Sequence, residues 1–234
     1  MKKILFIICA VFLLNICLFA QDNTLITVKA GTRIIDYFPF KERYRYPDFS
    51  EGQLIYKNRK VSSGRLNYNF LSGEMEFLQS RDTLFIINKK DISFVAVARD
   101  TFFYNNGYIE LILGGPVKVG LMQNFRLKEI QRKGAFGTTN RNSSMGVYNS
   151  MSLSGNFYQL IPNEDWVFQK TEQYYFSISS GDFVQFNKKN VIETFPQNEV
   201  VIKDYLKSNK IDFDSTKDLF KLADYLGGIL SNSP

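Results

Sequence analysis

RDTLFIIN (Arg81–Asn88) returns eighteen residues later as RDTFFYNN (Arg99–Asn106). Asp82 and Asp100 suit turns, because a short carboxylate accepts nearby backbone N–H groups. Thr83 and Thr101 then open strands, where β-branching is favoured, and Phe85 and Phe103 fall at equivalent places. The shift covers two strands and two turns, so the repeat marks a folding unit. In a meander, strands two apart run the same way. The two copies are therefore expected at one rim of a sheet, about 10 Å apart. A functional reading competes with this one: Arg81 and Arg99 would form a rim that grips an anionic ligand.

The same texture extends on both sides. From Gly52 to about Leu127 the chain reads as consecutive strands: QLIYK, RLNYNF with Leu66, Tyr68 and Phe70 at period two, MEFLQ, TLFIIN, ISFVAVA, TFFYNN and YIELILGG. Polar turns separate runs rich in Val, Ile, Phe, Tyr and Thr every eight to ten residues. That spacing predicts antiparallel β structure. No helical period interrupts it, which argues against a parallel α/β sheet.

Residues 128–154 change character. Ser, Thr, Asn and Gly dominate, and Arg132, Lys133 and Arg141 add positive charge. This reads as a long exposed loop or hairpin extension, and it is the first candidate for partner contact. Strand texture resumes in GNFYQLI, WVFQKTEQYYFSIS and DFVQFN. After Pro196 the period becomes helical. Val201, Ile202, Tyr205 and Leu206 share one face, as do Leu219, Phe220, Leu222, Ala223 and Leu226, with Gly227–Gly228 as the expected stop. Ser215 reads as the cap of the second helix, and Ile211 and Phe213 as threads into the core. The expected fold is mainly β (α+β): an antiparallel meander, sandwich-like or a partly open barrel, with a C-terminal helical hairpin. The expected division is a leader at 1–20, a lead-in at 21–50, a β domain at 51–195 and the helical pair at 196–234. The tyrosines and phenylalanines of the lead-in are expected over the sheet edge.

The chain begins MKKILFIICAVFLLNICLFAQ, with Lys2 and Lys3 before an apolar run from Ile4 to Phe19 and a small residue, Ala20, before Gln21. This is the pattern of a secretory signal peptide cleaved near Ala20. The run is short for a membrane-spanning helix of about 20 residues, which leaves an uncleaved anchor as the second reading. Lipidation at Cys17 is a third, opposed by the bulky Ile16 before it. Cleavage removes both cysteines, and the sequence has no histidine. It also removes Lys2 and Lys3, lowering the formal charge from +6 to +4. That balance is too mild to argue for nucleic acid.

The missing residues exclude chemistry. Without imidazole there is no Ser-His-Asp triad, and without Cys or His no zinc site of that type. A carboxylate pair, a Ser-Lys dyad or an all-oxygen metal site survive. Glu74 and Glu76 in SGEMEFL share a strand face and could divide acid and base roles. The plainer reading is a solvated face, with Met75 and Phe77 inward. NEDW (Asn163–Trp166) reads as an acidic turn beside a core aromatic. DFDSTKD (Asp212–Asp218) lacks the glycine and the terminal acid of a calcium loop.

The segments GRLNYNFLSGEMEFL, RDTLFIIN, RKGAFGTTNRNSS and VVIKDYLKSNKIDF, with the leader end LFAQ, resemble an uncharacterised exported β-rich protein family of Bacteroidota. The resemblance implies an extracytoplasmic protein and carries no catalytic residue. It also implies O-glycosylation at Asp-Ser/Thr sequences, with Thr83 and Ser215 as acceptors. The expectation is a non-catalytic binding or structural module of the bacterial envelope, in the periplasm or at the cell surface. Its partner would be an envelope protein or glycan, with no cofactor, no metal, no nucleic acid and no integral membrane span once the leader is gone. The alternatives are a carboxylate-dependent glycan hydrolase and an outer-membrane-associated barrel.

Overall fold

The computed structural model describes residues 25–80, 82–133, 139–142, 159–178 and 182–231, with the backbone alone for 132, 133 and 139–142. The strands are β1 (Leu25–Val28), β2 (Ser50–Tyr56), β3 (Val61–Asn69), β4 (Glu74–Gln79), β5 (Asp82–Phe85), β6 (Ile92–Val97), β7 (Asp100–Tyr104), β8 (Tyr108–Leu113), β9 (Val117–Lys133), β10 (Thr139–Asn142), β11 (Asp165–Ile178) and β12 (Val184–Gln185). The helices are α1 (Phe40–Arg43), α2 (Lys188–Thr194), α3 (Glu199–Ser208) and α4 (Thr216–Ser231). The fold is mainly β with few helices, as the strand spacing and the C-terminal period predict. All strands join one antiparallel sheet in the order β1-β11-β9-β8-β7-β6-β2-β3-β4-β5, with β10 beside β9 and β12 beside β11. Among the described residues the sheet does not close.

The single meander expected from Gly52 onward is corrected. The chain makes two meanders, β2 to β5 and β6 to β9, and β6 pairs with β2 rather than with β5. Two causes are visible. β5 is four residues long and mostly exposed, so it offers little to bury against. β6 carries Ile92, Val95 and Val97 on a buried face, and these join Leu54, Leu66 and Phe102 in one core. Gly52 admits the new neighbour: a Cβ there would lie 2.7 Å from the carbonyl oxygen of Ala96 and 2.8 Å from Leu66 Cδ1. The two echoing octets are thereby separated. Among the described residues, β5 and β7 stand five antiparallel steps apart and run in opposite directions. They do not share a rim.

The sheet curls so that its middle and its end meet. Phe125 donates its N–H to the Phe70 carbonyl at 2.8 Å, and the Tyr68 hydroxyl donates to the Gln123 carbonyl at 2.8 Å. Inside the curl Leu66, Tyr68, Met75, Val95, Phe102, Tyr108, Phe125 and Phe168 form the largest core. The lead-in fills it. β1 pairs with β11, Ile34 is buried, and Phe38, 1% exposed, meets Phe125 and Phe168 edge-on at 4.9 and 5.4 Å. Val28, Ile34 and Phe38 of the lead-in therefore belong to the large core, and β1 forms one end of the sheet. Each such aromatic contributes about 1.5–3 kcal/mol through burial.

β9 and β11 are long enough to serve two cores. On β9 the alternate residues Val117, Val119, Phe125 and Leu127 share a face. The last two belong to the curl, and the first two pack with Tyr174 and Phe176 under Ile202, Leu206, Leu219, Leu222 and Leu226 of α3 and α4. Ile211 and Phe213 pack against this second core as expected. α4 does not stop at Gly227–Gly228 but continues to Ser231. Of DFVQFN only Val184–Gln185 is strand, and Lys188–Thr194 forms a helix, capped by the Asn187 side chain accepting from Asn190 N–H. Of residues 128–154, β9 reaches Lys133 and returns as β10, which makes a hairpin extension. The rest of that segment, and most of GNFYQLI, lies outside the described residues.

Candidate functional site

The strongest concentration of buried polar groups comes from the β3–β4 hairpin. Asn67 stands opposite Glu76 and Asn69 opposite Glu74, so all four side chains fall on one face. That face is not solvated, which corrects the plainer reading of SGEMEFL. Glu76 is 2% exposed, with Tyr44 of the lead-in against it, and Glu74, beside Lys89, is 8% exposed. Asn67 clamps the lead-in: its Oδ1 accepts from Tyr46 N–H at 3.1 Å, and its Nδ2 donates to the carbonyls of Tyr46 and Asp48. Tyr44 bridges to Asn69 on the backbone. The Tyr44 hydroxyl donates to Glu76 Oε2 at 2.7 Å, and Asn69 Nδ2 to Oε1 at 2.8 Å.

Glu74 is held differently. Lys89, on the short 3-10 turn Lys89–Asp91, binds its Oε1 and lies over the Tyr104 ring. Glu74 Oε2, Tyr108 Oη and Arg43 Nε are buried without a hydrogen-bond partner among the described residues. Burial pushes both carboxyl groups above the ordinary range, against the hydrogen bonds that each accepts. Burial likewise raises the Tyr44, Tyr68 and Tyr108 phenols, which stay neutral.

A second network joins the lead-in to the inner face. Arg45 forks onto Glu110, with Nε to Oε2 at 2.9 Å and an Nη to Oε1 at 2.8 Å, and reaches Asp100 at 3.5 Å. The Tyr46 hydroxyl donates to Asp100 at 2.8 Å. Chemically both networks fasten chain to chain. In Glu76 each oxygen is already engaged by a donor of the protein itself.

The residues singled out in the sequence are dispersed. Arg99 is exposed at the β6–β7 turn, and Arg81 lies outside the described residues. Arg132, Lys133 and Arg141 come together on the β9–β10 hairpin backbone, opposite Asn140, Thr139 and Gln131 respectively. Thr83 is exposed on β5. The Ser215 hydroxyl accepts from Asp218 N–H at 3.4 Å at the start of α4. Trp166 is buried in the large core, and the Asp165 carboxylate holds Lys29 and the Ala30 N–H. Among the described residues no cluster of acidic side chains is arranged to hold a metal ion, and no helix is long and apolar enough to cross a membrane.

Compared with known proteins, the chain matches no family model, no curated protein and no solved structure.

Proposed function

We propose that this protein is an exported, non-catalytic binding or structural module of the bacterial envelope. The observation that carries the non-catalytic part is the state of the paired carboxylates. Glu76 is enclosed by Tyr44 and Asn69, and Glu74 is tied to Lys89. Glu76 is spent through both oxygens on joining the lead-in to the hairpin, and Glu74 holds the Lys89–Asp91 turn through one. A glycosidase needs two carboxyl groups facing a substrate cleft, about 5–10 Å apart. Export rests on the leader, with its two lysines, apolar run and Ala20. The Bacteroidota resemblance and glycan attachment at the exposed Thr83 belong to the same proposal. The barrel alternative loses support from the open sheet and its apolar inner face.

Two measurements test this reading. Fractionation with N-terminal sequencing should find the chain outside the cytoplasm and beginning at Gln21, and an intact cytoplasmic chain would remove the export claim. Cross-linking in the native envelope should yield an adduct that disappears when Arg132, Lys133 and Arg141 are all changed to Glu. An unchanged adduct would clear the β9–β10 hairpin of the contact. Hydrolysis of an envelope glycan that Glu74→Gln abolishes would restore the hydrolase in its place.

A further inference from the structure

One rim of the sheet combines unpaired positive charge with protruding aliphatic side chains. The β2–β3 turn reads Lys57-Asn58-Arg59-Lys60. It is closed by Tyr56 N–H to the Lys60 carbonyl and Arg59 N–H to the Tyr56 carbonyl, both 2.9 Å. Lys57 N–H donates to the Asp91 carbonyl at 2.9 Å, so this turn lies against the 3-10 turn that carries Lys89 and Lys90. Lys57, Arg59, Lys60 and Lys90 are exposed. None of the four enters an ion pair among the described residues. Lys89 is neutralised by Glu74, and Asp91 supplies the acid in these two turns. Four cations thus face one carboxylate. Val61, next to Lys60, is 55% exposed, and Ile87, three residues before Lys90, is 78% exposed.

We propose that these two turns dock the protein on an anionic lipid bilayer. The charge selects an anionic partner. The aliphatic side chains choose among anionic partners: a soluble polyanion offers nothing to Val61 and Ile87, whereas a bilayer offers phosphate headgroups to the cations and acyl chains to the aliphatics. The contact is peripheral, with the turns at the headgroup level and the sheet outside. It rests on the reading of the chain as a binding module and is independent of where the leader takes it.

The test is co-sedimentation of the chain beginning at Gln21, the form that the export reading leaves, with vesicles of phosphatidylglycerol and phosphatidylcholine, and with phosphatidylcholine alone. Without the apolar run Ile4–Phe19 and its two lysines, binding reports the rim. Binding should favour the anionic vesicles and weaken as salt is raised. Changing Lys57, Arg59, Lys60 and Lys90 together to Gln should lower affinity on the order of a hundred-fold or more. Ile87→Asp with Val61→Asp should also weaken binding while leaving the preference for anionic vesicles. Far-UV circular dichroism of each variant should match the parent, since all six positions lie in exposed turns or at a strand end. Equal binding of the parent to both vesicle types overturns the proposal, as does an unchanged quadruple variant. Full displacement by inorganic polyphosphate, with the two Asp substitutions silent, overturns it in favour of a soluble polyanion. A lost envelope cross-link with intact vesicle binding would remove the hairpin contact proposed above and leave this one standing.

Discussion

Gly52 and Gly64 stand opposite each other in the β2–β3 ladder, yet they answer to different constraints. A methyl group at Gly52 meets the backbone oxygen of Ala96, which cannot give way without moving β6, whereas nothing lies within 4 Å of one at Gly64. Gly52→Ala should cost about 1–3 kcal/mol, and Gly64→Ala should be neutral or stabilise by roughly 0.5–1 kcal/mol. Urea midpoints of the two variants check the contrast, and equal shifts would deny the close approach of β6. Glu76 makes a prediction with a sign. Burial is the largest influence on it and raises its folded value above the ordinary 4.5. The folded state therefore holds the proton more tightly than the unfolded chain. The stability this group contributes is present below the unfolded value and is lost as pH rises through the folded one. As pH falls from neutral toward about 4.5, the parent should gain stability relative to Glu76→Gln, and the reverse trend would show a carboxylate stabilised in its ionised form. The sequence displayed the inward face of RLNYNF directly, through Leu66, Tyr68 and Phe70. It hid the opposite face, because Asn67, Asn69, Glu74 and Glu76 look solvated until the distant lead-in and Lys89 come against them. A signal was present in part: Asn67 and Asn69 must share a side of one strand and Glu74 and Glu76 a side of the next, but only the register joins the two pairs.

At the level of elements, strand identity was legible and pairing was not. Period-two runs show which residues extend, but the choice between β5 and β2 as the neighbour of β6 turns on how much apolar surface each edge offers. β5 shows Leu84 at 39% exposure at the end of the sheet, and edges of this kind gain little from one more strand when a better-buried site is open. The repeat of RDT thus records local turn chemistry, since both copies start a strand after a polar turn, and says nothing of position. The helices were legible for the opposite reason: a 3.6-residue stripe is local and needs no partner to be recognised. Only α4 ran past its expected stop, continuing through the buried Gly227 to Ser231. If β5 is an appendage, Thr83→Pro should fray it alone. Hydrogen exchange should then show faster exchange at residues 82–85, with the amides of Val95 and Val97 on β6 as protected as in the parent. Loss of protection across β6 would mean that β5 supports the second meander after all.

For the whole molecule the question is whether the curl and the helical layer unfold as one. They look separable, since the large core lies between the lead-in and β2 to β9, and the second lies under α3 and α4. Yet both rest on the same two strands. β9 and β11 pair from Val117 to Gln131 and from Asp165 to Ile178, with one register shift between Val167 and Phe168, so the ladder that buries Phe125 and Phe168 also buries Val119 and Phe176. Freeing one half leaves unpaired backbone at the edge of the other, which costs about as much as the hydrogen bonds lost. Coupling through the ribbon therefore outweighs the division of the cores. The single tryptophan makes this measurable, because Trp166 sits in the large core and reports the curl alone. Leu222, fully buried on α4, belongs to the other core. Leu222→Ala should cost about 2–5 kcal/mol and should move the Trp166 fluorescence transition in urea together with the far-UV helical signal. A variant whose helical signal is lost early while Trp166 keeps the parent's midpoint would mean that the ribbon transmits nothing, and that the chain folds as two units sharing a strand pair.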